Sequence, residues 1–283
     1  MHLGSLYTAL AGFLQARSQH GQWLLRIDDL DTPRNVKGAA EAILKTLEAF
    51  GLFWDGEVYY QSRHADVYNG IISDLQRNKL VYPCICSRKT LTLSARGQAL
   101  SDIYPGICRD RPIPVDGPHA LRIKTDNRII TFQDELQGLI SHDLAGQHGD
   151  FIVQRKDRII AYQFAVVSDD KLQQINHIVR GFDLLDATPK QIYLQQLLGL
   201  AMPRYMHVPV IIDRQGYKLS KQTQATAVDL SSPQRVIFEL LGLLKQNPPT
   251  ALQQASVAEQ LGWAIAHWNP ALLKHVHAVN GDF

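Results

Sequence analysis

Short apolar runs alternate with amphipathic segments of helical length in the first part of the chain, and this alternation constrains the fold more than any other feature. The spacing predicts helices over Gly4–Gln19, Lys37–Phe50 and Ala65–Lys79, and strands over Gln22–Ile27 and Val58–Gln61. Strands and helices in strict succession are typical of βαβ units. The predicted fold class is therefore α/β, with a parallel sheet.

Residues 82–150 interrupt this alternation, because they contain the cysteines, a proline-rich stretch and short alternating runs. We predict an α+β insertion there. The alternation then resumes with strands at Phe151–Val153 and His177–Gly181 and helices at Tyr162–Val167 and Pro189–Leu198. After Asp229 the sequence is typical of helices, with Trp263 and Trp268 as anchors on the main body. The predicted units are 1–81, 82–150, 151–228 and 229–283.

The composition excludes several classes of protein. Apolar residues make up 45% of the 283 residues and charged residues 20%, which excludes a mainly disordered chain. The net charge of +2 excludes a chain-wide cationic coat but not a local basic face. No apolar run approaches the roughly 18 to 20 residues of a membrane span, and the start does not read as a signal peptide. We expect a soluble, cytoplasmic protein.

Two short motifs that suit phosphate binding lie far apart in the sequence. H-L-G-S (His2–Ser5) falls at the start of the first predicted helix, where free backbone N–H groups and an imidazole suit a phosphate. K-L-S-K (Lys218–Lys221) follows the α/β body and supplies mobile positive charge for the same phosphate. The alternative is that the first motif is a tail and the second a surface turn.

The three cysteines are clustered at Cys84, Cys86 and Cys108. An odd, low count in a chain of this length argues against a disulfide scaffold. Cys84 and Cys86 are two positions apart, so both thiolates can face one ion, and Cys108 supplies a third. A structural zinc site has four ligands in a tetrahedron. The alternative is three reduced cysteines that act as small apolar residues.

Three longer stretches lie between the two motifs, namely L-L-R-I-D-D-L-D-T-P-R (Leu24–Arg34), A-Y-Q-F-A-V-V-S-D-D (Ala161–Asp170) and I-V-R-G-F-D-L-L-D-A-T-P-K-Q-I-Y-L (Ile178–Leu194). With them the chain resembles the class I aminoacyl-tRNA synthetases, H-L-G-S standing for the HIGH motif and K-L-S-K for KMSKS. Within that class it is similar to the glutamyl branch. The resemblance implies a Rossmann-like catalytic domain, a zinc-containing insertion, a short helical C-terminal region and a ligase activity.

Two features are similar to the glutamyl-Q tRNA(Asp) synthetases rather than to full-length glutamyl-tRNA synthetases. Only about 60 residues follow K-L-S-K, and we expect no large anticodon-binding region in them. The run C-x-C followed by Y-P-G-I-C-R resembles the Cys-x-Cys…Tyr-x3-Cys zinc site of that family. The resemblance therefore adds Tyr104 to the three cysteines as the fourth ligand of one structural Zn²⁺ per chain.

The resemblance also implies roles for individual residues. The implied catalytic residues are His2, Lys218 and Lys221. The implied ATP-binding residues are His2, Gly4, Ser5, Lys218, Leu219, Ser220 and Lys221, with Mg²⁺ accompanying the nucleotide.

For glutamate, Arg180 is implied to pair with the side-chain carboxylate, Asp28 to hold the ammonium group and Tyr162 to line the pocket. Family members usually have glutamate where Asp28 stands, so the reach is one methylene shorter here. The alternatives are a surface ion pair for Arg180, a turn cap for Asp28 and a core position for Tyr162.

The implied reaction joins ATP and L-glutamate to glutamyl-adenylate without tRNA, and then moves glutamate to queuosine in the anticodon of tRNA(Asp). A monomer is expected. Two basic runs are candidate RNA contacts, namely Arg109 with Arg111, and Arg155 with Lys156 and Arg158. Ordinary solvated charge is the alternative for both runs.

One departure from the family concerns the start of the chain. In the family a strand and loop of the form R-F-A-P-S-P-S-G precede the HIGH motif, whereas here Met1 directly precedes His2. We expect a parallel sheet without that strand, whose neighbours have unpaired backbone groups. A start further upstream and an impaired protein are both compatible with this. A shortened glutamyl-tRNA synthetase and an inactive tRNA-binding paralogue are the alternative functions.

Overall fold

The structure, a computed structural model, describes residues 1–87, 89–91, 103–114, 116–217 and 228–281. The helices are α1 (Leu3–Ser18), α2 (Ala39–Ala49), α3 (Ala65–Arg77), α4 (Leu144–Gln147), α5 (Tyr162–Leu172), α6 (Thr188–Leu197), α7 (Pro233–Leu243) and α8 (Val257–His267). The strands are β1 (Arg26–Ile27), β2 (Tyr59–Tyr60), β3 (Val81–Cys84), β4 (Ala120–Ile123), β5 (Ile129–Asp134), β6 (Gly138–Asp143), β7 (Ile152–Gln154), β8 (His177–Gly181), β9 (Arg204–Val208), β10 (Val210–Ile212) and β11 (Ala278–Asn280).

Helix α1 forms where the sequence predicts it. Its N-cap is His2, which has extended backbone angles and accepts a hydrogen bond from the Ser5 N–H. The apolar side chains Leu6, Leu10 and Leu14 repeat at a spacing of four and are fully buried. This stripe packs α1 against β8 and α8.

The strands form both parallel and antiparallel pairs. Strand β8 pairs in parallel with β9, which pairs in parallel with β5, and β6 completes this sheet as the hairpin partner of β5. Strands β3, β4 and β7 form a separate antiparallel sheet. The predicted α/β class with a parallel sheet is confirmed, and the hairpin within residues 82–150 joins the sheet that carries β8.

Strand β1 is shorter than the predicted run over Gln22–Ile27, since only Arg26 and Ile27 pair with β2. Near Trp23, the side chain of Asp55 takes the place of a neighbouring strand as a hydrogen-bond partner. The Asp55 carboxylate accepts the backbone N–H of Trp23 at 2.7 Å, and the Asp55 N–H donates to the Trp23 carbonyl at 2.9 Å. Arg17 also binds Asp55, at 2.6 Å, so one carboxylate joins α1 to this segment.

The C-terminal region is not entirely helical, which corrects the prediction for residues after Asp229. Strand β11 pairs in parallel with β10, flanked by hydrogen bonds from Val210 N–H to the His277 carbonyl and from Gly281 N–H to the Ile212 carbonyl. The predicted anchors are confirmed. Trp263 and Trp268 pack against the core around α1, and Trp268 Nε1 donates to Gln15 at 2.6 Å.

Two apolar cores hold these elements together. The first joins α1, α2, α7 and α8, and the second joins α3, β4, β5, β7, α5 and α6. A third, small cluster contains Tyr82, Cys84, Tyr104 and Cys108. Among the residues that the structure describes, no helix is both long and apolar enough to cross a bilayer.

A groove separates β1 from β8. Strand β8 lies at the edge of its sheet and β1 at the edge of a two-stranded pair, and no strand within the described ranges fills the space between them. A cavity of about 540 Å³ occupies this space, with residues of α1 and α5 also in its walls.

Candidate active site

The cavity brings together four polar side chains that come from distant parts of the sequence. Arg26, Tyr162, Asp170 and Arg180 all line it. Tyr162 is the first residue of α5 and is 42% exposed, whereas Arg180 on β8 is only 8% exposed. Two of the three residues implied to bind glutamate, Tyr162 and Arg180, therefore lie on one cavity.

The guanidinium of Arg180 is held at all three of its nitrogens. Nε donates to His207 Nε2 at 3.0 Å, Nη1 donates to Gln191 at 2.7 Å, and Nη2 donates to Thr188 at 2.7 Å. Arginine has five N–H donors. No described residue accepts the two others, and these are one N–H on each terminal nitrogen. A guanidinium that keeps one donor on each terminal nitrogen can bind a carboxylate through both.

Asp28, the third predicted glutamate ligand, does not line the cavity. Its carboxylate accepts a hydrogen bond from Arg26 Nε at 3.3 Å, and its side chain is 44% exposed. Asp28 thus reaches the cavity through Arg26, which is a cavity residue that the sequence analysis left unassigned.

Arg26 also binds Asp170 on the opposite wall. Its Nη1 donates to Asp170 Oδ1 at 2.8 Å and to Gln173 at 3.2 Å. Burial raises the pKa of Asp170, and the Arg26 guanidinium opposes that rise. Both residues lie inside stretches that carry the family resemblance, R-I-D-D and V-S-D-D, and this was the signal that could have found them.

The neighbouring carboxylate, Asp169, is fully buried and points away from the cavity into a cluster of donors. Its oxygens accept hydrogen bonds from Tyr68 at 2.6 Å, from Gln61 at 2.7 Å and from Tyr59 at 2.9 Å. Asp169 therefore joins α5 to α3 and to β2, and this fixes the helix that carries Tyr162 and Asp170.

His2 lies at the N-terminus of α1, where the first predicted motif begins. Its Nδ1 accepts the Ser5 N–H at 3.2 Å, and its Nε2 is 2.8 Å from Ser5 Oγ. The first N–H groups of a helix have no partner within the helix and carry partial positive charge. The imidazole and Ser5 thus lie at an end of α1 that favours anions.

The second predicted motif, Lys218, Leu219, Ser220 and Lys221, lies outside the described residues, but both of its flanks are described. Before it, the Tyr217 N–H donates to the Asp213 carboxylate at 2.8 Å. After it, the Val228 N–H donates to the Met1 carbonyl at 3.1 Å. The described flank that follows the motif therefore contacts the residue that precedes His2.

The cysteines converge as predicted, in a group that can bind a metal ion. The three Sγ atoms all lie within 4.8 Å of one another. The Tyr104 hydroxyl is 3.4 Å from Cys84 Sγ and 3.6 Å from Cys86 Sγ, and Cys86 Sγ is 3.5 Å from Cys108 Sγ. Zinc–sulfur bonds of about 2.3 Å in a tetrahedron place sulfurs about 3.8 Å apart. These four side chains fit that geometry with small shifts.

Arg122 supplies positive charge beside this cluster. Its guanidinium lies 3.7 Å from the centre of the Tyr104 ring, and its Nε donates to Cys84 Sγ at 3.3 Å. Burial alone would raise the pKa of Cys84, but Tyr104 and Arg122 stabilise the thiolate and lower its pKa to about 7. Metal binding requires deprotonated thiols, and Arg122 favours that state at Cys84. Burial and the neighbouring sulfurs raise the pKa of Cys86 to about 11, so a bound cation would have to offset that rise.

The two basic runs are partly used within the molecule. Arg109 forms an ion pair with Asp150 at 3.0 Å, and Arg155 forms one with Asp31 at 2.8 Å. Lys156 Nζ donates to the Ile85 carbonyl at 2.6 Å. Arg111 and Arg158 are exposed.

A comparison with protein families identifies the class to which this fold and site belong. Residues 1–237 match the family described as tRNA synthetases class I (E and Q), catalytic domain. The structure is also similar to that of a glutamate tRNA ligase from Elizabethkingia meningosepticum, with a TM-score of 0.82 and 23% identity, over 100% of this chain and 64% of that one. At this identity the likeness shows the fold alone, and this chain spans about 64% of the other's length.

Curated relatives narrow the class further. Proteins named glutamyl-Q tRNA(Asp) synthetase are 47% identical in Aromatoleum aromaticum, 48% in Neisseria meningitidis serogroup A and 44% in Pseudomonas aeruginosa. Each match spans 95% of this chain and respectively 85%, 92% and 89% of the relative. The chain belongs to the glutamyl-Q tRNA(Asp) synthetase family.

Proposed function

We propose that the protein activates glutamate with ATP in the absence of tRNA and transfers it to queuosine in the anticodon of tRNA(Asp). The observation that supports glutamate activation is the burial of Arg180 and the donors that it keeps. It is buried in the cavity wall beside Tyr162, and each terminal nitrogen keeps one N–H for a ligand. A bidentate pair of donors selects a carboxylate, the group that distinguishes glutamate from glutamine.

The activation step needs charge stabilisation rather than a base. The α-carboxylate of glutamate is already a nucleophile, and it attacks the α-phosphorus of ATP to give glutamyl-adenylate and pyrophosphate. The residues therefore act by orienting the reactants and neutralising charge on the phosphates. His2, with Gly4 and Ser5 at the start of α1, would bind phosphate oxygens. Lys218 and Lys221 would stabilise the pentacoordinate state, and Mg²⁺ would accompany ATP.

The pocket supplies the remaining contacts to glutamate. Tyr162 would line it, and Asp170 in the cavity wall would bind the ammonium group, with Asp28 acting through Arg26. Both carboxylates hydrogen-bond Arg26. Arg26 neutralises part of their charge, and the buried Asp169 carboxylate also lies 3.9 Å from its Nε, so three carboxylates surround one guanidinium. The surplus negative charge suits a ligand ammonium group.

The transfer step is supported by the names of the relatives, which specify tRNA(Asp) and Q. Single-stranded RNA loops are recognised through splayed bases, stacking and phosphate contacts. Of the predicted basic contacts, Arg111 and Arg158 are exposed and suit phosphates. Arg109, Arg155 and Lys156 would have to exchange an internal partner for RNA. We expect the enzyme to act in the cytoplasm as a monomer.

We further propose that Cys84, Cys86, Tyr104 and Cys108 bind one structural Zn²⁺. The support is the spacing of their side-chain atoms and the positive charge of Arg122 beside them. The ion would join strand β3 to the segment that contains Tyr104 and Cys108. This region has only a small apolar cluster of its own, so a metal would supply stability that packing does not.

Two assays test the function. Glutamate-dependent exchange of pyrophosphate into ATP is expected without tRNA. Labelled glutamate is then expected on queuosine-containing tRNA(Asp) from which the 3′-terminal adenosine has been removed, with tRNA(Asp) lacking queuosine as the control. Label that requires the 3′-terminal adenosine would show a shortened glutamyl-tRNA synthetase. Absence of both activities would support the alternative that the protein is an inactive tRNA-binding paralogue.

A further inference from the structure

We propose that Asp134 and His207 position Arg180 for glutamate recognition, an inference that rests on the proposed function. The three side chains form a continuous hydrogen-bonded chain across three neighbouring strands. Asp134 Oδ2 lies 2.6 Å from His207 Nδ1, and Arg180 Nε donates to His207 Nε2 at 3.0 Å. Asp134 and His207 are fully buried, so both bonds are shielded from water.

The donors in this chain fix the hydrogen on His207. Arg180 Nε carries a hydrogen at every attainable pH, so His207 Nε2 accepts it. The Thr188 hydroxyl also lies 3.1 Å from Nε2 and donates its hydrogen to the Leu184 carbonyl at 3.2 Å. The imidazole is therefore neutral, with its hydrogen on Nδ1 facing Asp134. Asp134 also accepts the backbone N–H groups of Leu136 at 3.0 Å and Gln137 at 2.8 Å. Burial acts against ionisation, but the hydrogen bonds from His207 and Gln137 lower the pKa of Asp134.

This chain controls the direction of the guanidinium plane. Gln191 and Thr188 hold the terminal nitrogens of Arg180, and His207 holds Nε at the other end of the plane. Removing the acceptor at Nε would leave a buried donor unpaired, which is costly and favours rotation of the group. Rotation moves both remaining N–H groups away from the position of a ligand carboxylate. Asp134 and His207 are thus positioning residues, since neither lines the cavity.

Charged and titratable groups face His207 from several elements. Arg180 comes from β8, Asp134 from β5 and Asp183 from the turn after β8, and the Tyr205 ring stacks on the imidazole at 6.2 Å between centroids. Burial lowers the pKa of His207, with Arg180 acting in the same direction and both carboxylates opposing. A proton on His207 Nε2 would make this atom a donor that faces a second donor, Arg180 Nε. The glutamate KM of the native enzyme should therefore rise at acidic pH.

The kinetic test compares two variants of His207. His207→Leu removes the acceptor, and we expect the glutamate KM in pyrophosphate exchange to rise about ten- to a hundredfold while the ATP KM stays unchanged. His207→Gln keeps an amide oxygen that can accept from Arg180, and it should recover part of the loss. His207→Leu should also reduce the preference for glutamate over glutamine in the same assay.

Met206→Ala is the matched control. Met206 is the buried neighbour of His207 on β9 and packs into the first core, without a hydrogen bond to Arg180. This variant should lower stability and leave the glutamate KM unchanged. If His207→Leu lowers kcat or the folded fraction only, with both KM values and the amino-acid preference as in the native enzyme, His207 is merely structural and the proposal is overturned.

A measurement without turnover separates this inference from the proposed function. Nitrogen-15 NMR should show His207 as the neutral Nδ1–H tautomer, and Arg180→Ala should remove that restriction. If the native protein shows no glutamate-dependent exchange of pyrophosphate into ATP, the proposed function is refuted. In that case the NMR result alone decides the arrangement, and an Nε2–H tautomer of His207 in the native protein refutes it.

Discussion

The backbone N–H of Val228 donates a 3.1 Å hydrogen bond to the carbonyl oxygen of Met1. Val228 is the first described residue after the K-L-S-K motif, and Met1 directly precedes His2. One hydrogen bond thus joins the far side of one motif to the near side of the other. The first described residue beyond K-L-S-K therefore lies against the residue that precedes His2.

Replacement of Lys221 tests this relationship at the level of catalysis. If its ammonium group stabilises the charge that develops on the phosphates, Lys221→Ala should slow glutamate-dependent pyrophosphate exchange by about two to three orders of magnitude. Lys274→Ala, at an exposed position in the C-terminal region, is the control and should exchange at the native rate. Near-native exchange by Lys221→Ala would exclude the role.

Metal analysis tests the cysteine cluster. The purified protein should contain about one zinc ion per chain, and Cys108→Ser should contain far less, because the cluster loses a thiolate ligand. The variant should also unfold at a lower temperature, as a chelator-treated native protein should. Ser87→Ala, which directly follows Cys86, should keep the metal. A native protein that binds no zinc even after refolding in its presence would contradict the site.

The carboxylate of Asp169 should be worth more to stability than any exposed carboxylate. Asp169→Asn leaves one oxygen to accept the bonds of Tyr59, Gln61 and Tyr68, and turns an amide toward donors. We expect a loss of about 3 kcal/mol in the free energy of unfolding, measured by denaturant titration. The exposed Asp116→Asn should change it by less than about 0.5 kcal/mol. Equal stability of the two variants would show that the cluster is not needed to hold α5.

Acid should weaken the protein through His148. Its ring stacks on His142 with centroids 4.8 Å apart, and burial, aided by Lys190 and His142, lowers its pKa to about 4. The unfolded chain binds this proton near pH 6.5, so stability is lost as the pH falls from about 6.5 to 4. The melting temperature of His148→Phe should depend less on pH in that window. The melting temperature of the exposed control His20→Asn should depend on pH as that of the native protein does. If His148→Phe also keeps the native pH dependence, His148 is not the source of the acid sensitivity.

Local signals predicted much of the fold. The boundaries of α1 and β8 follow from apolar spacing and from the residues that flank them. The side chains of Cys84, Cys86, Tyr104 and Cys108 also meet, as the resemblance implies. The pairing of β11 with β10 was not predictable, since it joins segments whose local sequences carry no common signal.

The residues that support Arg180 were not predictable for the same reason. The sequence marks V-R-G, but Asp134 and His207 are separated by 73 positions and only the folded sheet makes them neighbours. The shortening of β1 also depends on a distant side chain, Asp55, which takes a backbone donor from the ladder. Contacts of this kind depend on tertiary packing, which a single sequence does not display.

The edge position of β8 links two properties that would otherwise be independent. Arg180 belongs to this strand, whose outer side faces the groove toward β1. Any extended segment that hydrogen-bonds along that side would restrain the backbone from which the guanidinium projects. If a segment bound along that side changes the affinity for the amino acid, reciprocity requires that the amino acid changes the affinity for the segment by the same factor.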